Sequence, residues 1–88
     1  MLKLKEGFVM RKIAGETVVL PTGDKLDLNM MITLNDTAVF LWERLLEGTT
    51  REELIAALLE QYDVEEERAA MAVDTFLIRL REHQFLEE

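Results

Sequence analysis

The chain contains no cysteine and no serine, and its one histidine is His83. Without cysteine it forms neither disulfides nor thiolate metal sites, which fits a reducing compartment, so we expect a cytoplasmic protein. Neither a Ser–His–acid nor a Cys–His arrangement can be assembled from these residues. We therefore predict that the chain is not an enzyme, needs no cofactor and binds no metal. His83, near the chain end, is interpreted as a helix-dipole partner rather than a metal ligand.

Positive charge is also scarce. Lys and Arg number 10 against 18 Asp and Glu, the net charge is −8, and no basic run occurs. A nucleic-acid-binding domain gains affinity by neutralising phosphates with Lys and Arg, so we predict no nucleic-acid partner. No apolar run reaches the length that a membrane span requires, which predicts no membrane association.

The N-terminal third has the composition of β-strands. At 88 residues the chain is expected to form one domain, 1–88. Phe8–Ile13 and Thr17–Leu20 are rich in β-branched residues and flank Gly15, which predicts a hairpin. A third strand is predicted over 30–34. Its edge would have unpaired N–H and C=O groups that can accept an added strand.

The remainder predicts three helices, over 36–46, 51–62 and 64–83. The first is apolar on nearly every side around Trp42, so it is expected to be buried on nearly every side and to place Trp42 at the centre of the core. The expected core side of the third helix is formed by Ala69, Val73, Phe76, Leu77 and Leu80. Predicted boundary residues are Asn35 or Asp36 as the first N-cap, Gly48 as the first C-cap, and capping boxes at Thr50 with Glu53 and at Asp63 with Glu66.

One apolar stripe of the third helix is not explained by the core. At 100° per residue, Met71 and Ile78 lie together, nearly opposite the Val73 and Leu80 side. They either face a partner or are ordinary isolated apolar residues on the surface. Arg68, Thr75, Arg79 and Glu82 flank this stripe and are available for polar contacts.

The order of elements and their signature residues resembles the PqqD family of small peptide chaperones. The similarity extends over nearly the whole chain, and no residue in it is catalytic. The residues that support it are L-N-x-T at Leu34–Thr37, L-W at Leu41–Trp42, E-G-T-T at Glu47–Thr50 and Y-D-V at Tyr62–Val64.

The resemblance implies a winged-helix-like α+β domain in which a three-stranded antiparallel sheet precedes three helices. It further implies a recognition element that binds the leader of a ribosomally made precursor peptide by strand addition. The leader is then presented to a modifying enzyme, such as a radical S-adenosylmethionine (radical SAM) protein. The implied peptide-binding residues lie on the third strand and the third helix: Asn29, Met30, Met31, Ile32, Thr33, Met71, Thr75, Ile78 and Arg79.

Two other functions are compatible with this fold. A winged helix can bind DNA, but a helix bearing Glu65, Glu66, Glu67 and Asp74 would meet phosphate with the wrong sign. The stronger alternative is a general protein-interaction or dimerisation module that uses the same strand edge and the Met71 and Ile78 stripe. A monomer or a weak homodimer is compatible with either the recognition element or the interaction module.

Overall fold

The computed structural model describes residues 1–22 and 31–87. A sheet-forming N-terminal part is followed by three helices, which confirms the predicted α+β class, and the helix ends agree with the predicted ones within two residues. The elements in chain order are β1 (Lys3–Leu4), β2 (Phe8–Ile13), β3 (Glu16–Pro21), β4 (Ile32–Leu34), α1 (Asp36–Glu47), α2 (Arg51–Gln61), α3 (Glu66–Glu82) and β5 (Leu86–Glu87).

The three-stranded sheet is antiparallel, with β3 between β2 and β4. The predicted hairpin turns through Ala14 and Gly15, which have φ of 52° and 82°. β4 pairs with β3 from Ile32 opposite Val19 to Leu34 opposite Thr17. In the part of the chain that the structure describes, no strand pairs with the other edge of β4. Among the described strands β4 therefore lies at an edge of the sheet, as predicted.

The two chain ends form a second, very short sheet. β1 and β5 are antiparallel, and Leu4 lies opposite Leu86. Leu2 and Thr49 exchange two backbone hydrogen bonds, of 2.6 and 2.8 Å, which tie the N-terminal segment to the α1–α2 junction. Phe85 and Leu86 fold back onto the core, where both are buried. β1 was not predicted, because two residues are too few to show the alternation that identifies a strand.

Side chains define the starts of two helices as predicted. Asn35 Oδ1 accepts a hydrogen bond of 2.8 Å from the Ala38 N–H, and Thr50 Oγ1 accepts one of 3.1 Å from the Glu53 N–H. Gly48 ends α1 with a φ of 94°. The capping box predicted at Asp63 is wrong: α3 begins later, and its N-cap residue, Glu65, makes no side-chain capping bond. Asp63 lies two positions before that residue, too far back to serve as the N-cap.

The core is centred on Trp42, which is 2% exposed. Its ring meets Phe85 edge-on, with 5.9 Å between ring centroids, and Phe85 in turn meets Phe8 edge-on at 4.5 Å. All five residues predicted for the core side of α3 are buried. The expectation that α1 is buried on nearly every side is only partly right. α1 packs on β1 and β4, and Leu46, at its C-terminal end, is 52% exposed.

Among residues 1–22 and 31–87, no helix combines the length and the apolar character that crossing a membrane would demand.

Replacing Trp42 with Ala should lower the free energy of unfolding by about 3–5 kcal/mol, because it opens a large cavity beneath Phe85. Leu46→Ala, on the same helix but half-exposed, is the matched control and should change stability by less than about 1 kcal/mol. Urea denaturation followed by circular dichroism measures both. Equal losses in the two variants would mean that Trp42 is not the centre of the core.

Candidate functional site

A large cavity lies between the N-terminal half of α1 and the length of α3. We call it the α1–α3 cavity; its volume is about 760 Å³. Its inner wall combines small and apolar side chains from both helices, whereas its ends are charged. The residues that line it are Asn35, Thr37, Ala38, Leu41, Glu65, Glu67, Arg68, Met71, Ala72, Thr75, Phe76 and Arg79.

A second, smaller cavity adjoins the first where β4 ends. This β4-end cavity has a volume of about 480 Å³ and is more polar. It is lined by Gly15, Glu16, Thr17, Thr33, Leu34, Asn35, Asp36 and Arg79. Asn35 and Arg79 line both cavities, so the two form one continuous groove. The groove runs from the hairpin turn, past the end of β4, and along α3.

The helical period of α3 explains which side chains face the groove. Arg68, Ala72, Thr75 and Arg79 follow at i, i+4, i+7 and i+11, so they share one face of the helix. This face is adjacent to the buried side, and Phe76 lies at the boundary between the two. Met71 lies on the outer margin of the groove and is 70% exposed.

The charges of the groove are mixed. Glu16, Asp36, Glu65 and Glu67 supply the acidic groups, and Arg68 and Arg79 supply the basic ones. Arg79 is half-buried. Among the described residues its guanidinium forms no ion pair or side-chain hydrogen bond. The backbone carbonyl of Arg79 accepts a hydrogen bond from the His83 N–H, and His83 Nδ1 lies 2.9 Å from the same oxygen. Positive charge is therefore available at the junction of the two cavities.

Unlike Arg79, Arg51 forms an ion pair, and this pair lies outside the groove. Arg51 and Asp74 form two hydrogen bonds, of 2.6 and 2.9 Å, which join α2 to α3 at the surface. The hydrogen bond from Arg51 is the main reason why the pKa of the Asp74 carboxyl lies below its usual range. The charge on Asp74 is thus engaged by α2 and is not directed into the groove.

The structure brings four of the predicted site residues into the groove: Thr33, Met71, Thr75 and Arg79. Ile32 is 4% exposed, so its side chain belongs to the core and only its backbone is available at the strand edge. Met31 and Ile78 are 39% and 54% exposed but line neither cavity. Asn29 and Met30 lie outside the described residues.

Sequence reasoning missed the α1 side of the groove. Ala38 and Ala72 are small residues on the two helices, and Asn35, Thr37 and Leu41 follow α1 along the cavity. The available signal was the polar face of α3, in which Arg68, Thr75 and Arg79 recur at helical spacing. In the sequence pattern these residues flank the Met71 and Ile78 stripe. The pattern on α3 alone does not show that α1 lies opposite.

The described residues of the groove offer an edge at which an extended peptide can bind. Among residues 1–22 and 31–87, no three His, Asp or Glu side chains are grouped so that they could hold a metal ion. The unpaired edge of β4, next to the β4-end cavity, presents backbone donors and acceptors that an extended peptide can satisfy.

Comparisons with known proteins identify the family and the fold. The family model described as "Coenzyme PQQ synthesis protein D (PqqD)" matches residues 16–86. The structure of TbiB1 in complex with the TbiA(beta) leader peptide is similar, with 26% sequence identity and a TM-score of 0.76 over 97% of this chain and 94% of that chain. The structure of lasso peptide synthetase B1 complexed with the leader peptide has 22% identity and a TM-score of 0.74, over 99% and 98%, and shares the fold. The comparison with curated proteins gives no match.

We expect the isolated protein to bind no Zn²⁺ stoichiometrically, since its one histidine is engaged elsewhere. His83 Nδ1 lies 2.9 Å from the Arg79 carbonyl oxygen, and its ring stacks on Phe85. Calorimetric titration with zinc chloride measures this, with His83→Ala as the control. Tight binding by the wild type that is abolished in the variant would contradict the expectation.

Proposed function

The chain belongs to the PqqD family, and on that premise we propose that it binds the leader of a ribosomally made precursor peptide. The leader adds as a strand beside β4 and continues into the groove between α1 and α3. The observation that supports this most directly is the unpaired edge of β4 next to that groove. The solved complex of TbiB1 with a leader peptide supports the same class of ligand.

Strand addition suits the local geometry of β4. Its side chains alternate, with Ile32 and Leu34 buried and Thr33 exposed, so the edge is already held in an extended conformation by the core. An incoming peptide then forms backbone hydrogen bonds without reorganising the sheet, and its alternate side chains supply selectivity. Because β4 is only three residues long, backbone bonds alone give a short ladder.

The α1–α3 cavity supplies the remaining binding energy. Leu41, Ala72 and Phe76 provide apolar surface, and the cavity is large enough for a branched or aromatic side chain. Burying one such side chain contributes about 1.5–3 kcal/mol, before the cost of ordering the peptide. We propose that the leader is anchored by an apolar residue here while its backbone pairs with β4.

We further propose that the chain acts without chemistry of its own and presents the bound leader to a separate modifying enzyme, of radical SAM or similar type, in the cytoplasm. The sequence has no serine or cysteine to act as a nucleophile, and in this proposal a second protein supplies the reaction. A short precursor reading frame and a modifying-enzyme gene beside this gene would support the proposal.

The alternative remains a general interaction or dimerisation module, since the β4 edge can also pair with the same edge of a second copy. The two functions compete for one edge. Sedimentation analysis with and without the leader distinguishes them. A dimer that the leader leaves intact would favour the alternative.

Titrating ¹⁵N-labelled protein with the leader of the neighbouring precursor should shift the amide signals of Met31–Leu34 and of α3, because the new strand pairs there. Two-dimensional NMR measures this. The β2 edge of the same sheet is the internal control and should stay unshifted. Shifts confined to the β2–β3 hairpin would place the peptide on the wrong edge.

Met71→Glu should weaken leader binding by roughly 1–3 kcal/mol, because it removes apolar contact and places a charge against the cavity. Stability should barely change, since Met71 is 70% exposed. Ile78→Glu is the matched control: it introduces the same charge on the same helix, but outside the cavities, and should weaken binding less. Calorimetric titration compares the two. An equal or larger loss for Ile78→Glu would move the peptide out of the groove onto the outer stripe.

A further inference from the structure

We infer that Arg79 selects peptides with an acidic side chain, which its guanidinium binds at the junction of the two cavities. The inference rests on the proposed function and goes beyond it, because it specifies one chemical feature of the ligand and its spacing. The ligand is an extended peptide in which an Asp or Glu and a large apolar residue point to the same side.

The position of Arg79 supports the assignment. It is the one residue of α3 that lines both cavities, so a peptide leaving the β4 edge for the α1–α3 cavity must pass its side chain. On the β4 side its neighbours are Thr33 and Leu34, and on the other side Thr75 continues the same helix face. A residue in this place meets the peptide at a fixed point along its length.

The second observation is that the guanidinium of Arg79 is in no ion pair among the described residues. A half-buried arginine normally pairs with a carboxylate or donates to carbonyl groups, because its donors are costly to leave unsatisfied away from water. Glu16 and Asp36 line the same cavity, yet neither forms an ion pair with Arg79. By comparison, Arg51 on the open surface forms a two-bond pair with Asp74. Among the described residues nothing binds the guanidinium of Arg79, so it can bind a carboxylate of the peptide through two hydrogen bonds.

The spacing along α3 fixes the register of such a peptide. Successive residues of the groove face, from Arg79 to Thr75 and on to Met71, are four apart, a rise of about 6 Å per step. Two residues of an extended strand advance by about 6.7 Å, so alternate side chains of a peptide along α3 keep nearly the same step. If an acidic residue of the peptide binds Arg79, the apolar anchor therefore lies two or four residues away from it along the peptide.

The probe is a phage-displayed library of random peptides about ten residues long, enough to span the groove at about 3.3 Å per residue. Selection is carried out on the wild-type protein and on Arg79→Glu. The matched control is Arg11→Glu, which changes the net charge equally at an exposed position on the far strand β2. Peptides selected on the wild type and on the control should be enriched in Asp or Glu two or four positions from a large apolar residue. Arg79→Glu should lose that enrichment or replace it with Lys or Arg.

Affinity measurements then test the contact itself. A synthetic peptide from the selection should bind wild type about tenfold or more tightly than its Asp→Asn or Glu→Gln counterpart, and Arg79→Gln should remove most of that difference. Thermal melts verify that the variants are folded.

Three results would overturn the inference. Apolar enrichment without an acidic position would leave peptide binding intact but refute the role of Arg79, as would acidic enrichment that persists in Arg79→Glu. The first result would point to backbone carbonyls as the partners of Arg79, and the second to another cation in the groove as the partner of the acidic residue. Enrichment of no peptide at all would remove the proposed function together with the inference.

Discussion

The edge-on contact between Trp42 and Phe85 is the interaction on which the groove depends. Trp42 belongs to α1 and Phe85 follows α3, so their contact fixes the end of α3 against α1. Phe85 also meets Phe8 at the start of β2, which joins the sheet to the same point. The segment after Phe85 pairs with β1, and β1 lies against α1. Loosening this contact would let α3 move away from α1 and open the cavity between them.

The three faces of α3 separate stability from binding. Val73, Leu77 and Leu80 are fully or nearly fully buried and hold the helix in place. The adjacent face, with Arg68, Thr75 and Arg79, lines the groove, and Met71 borders it on the solvent side. A substitution on the groove face therefore changes the surface offered to a ligand while the core contacts remain. Such a division is expected where a rigid element must present a site.

How well the sequence predicts a feature depends on how close together in the chain the residues that determine it lie. The caps at Asn35 and Thr50 and the buried stripe of α3 depend on residues three or four apart, so they were predicted correctly. The cap at Asp63 failed because the capping-box pattern fits more than one starting residue, and the helix begins later. Half of the groove was missed for a different reason: Ala38 and Leu41 reach the site only because the packing of the whole core places α1 across the cavity from α3. That packing is set by long-range contacts such as Trp42 with Phe85, which no local pattern contains.

Electrostatics gives the groove selectivity more than affinity. The protein has a net charge of −8, so an acidic peptide is repelled by most of its surface. Carboxylates lie near both arginines of the groove, but among the described residues none of them is paired with either arginine. The difference is burial: Arg68, at the N-terminal end of α3, is exposed and screened by water, whereas Arg79, at the other end, is half-buried. A carboxylate is then tolerated at one end of the groove and disfavoured at the other. An extended peptide has two possible directions along α3, and this asymmetry favours the one that puts its acidic residue at Arg79. In the binding mode that we propose, charge would thus fix the direction in which the peptide lies, while backbone pairing at β4 and apolar contact in the α1–α3 cavity would provide most of the binding energy.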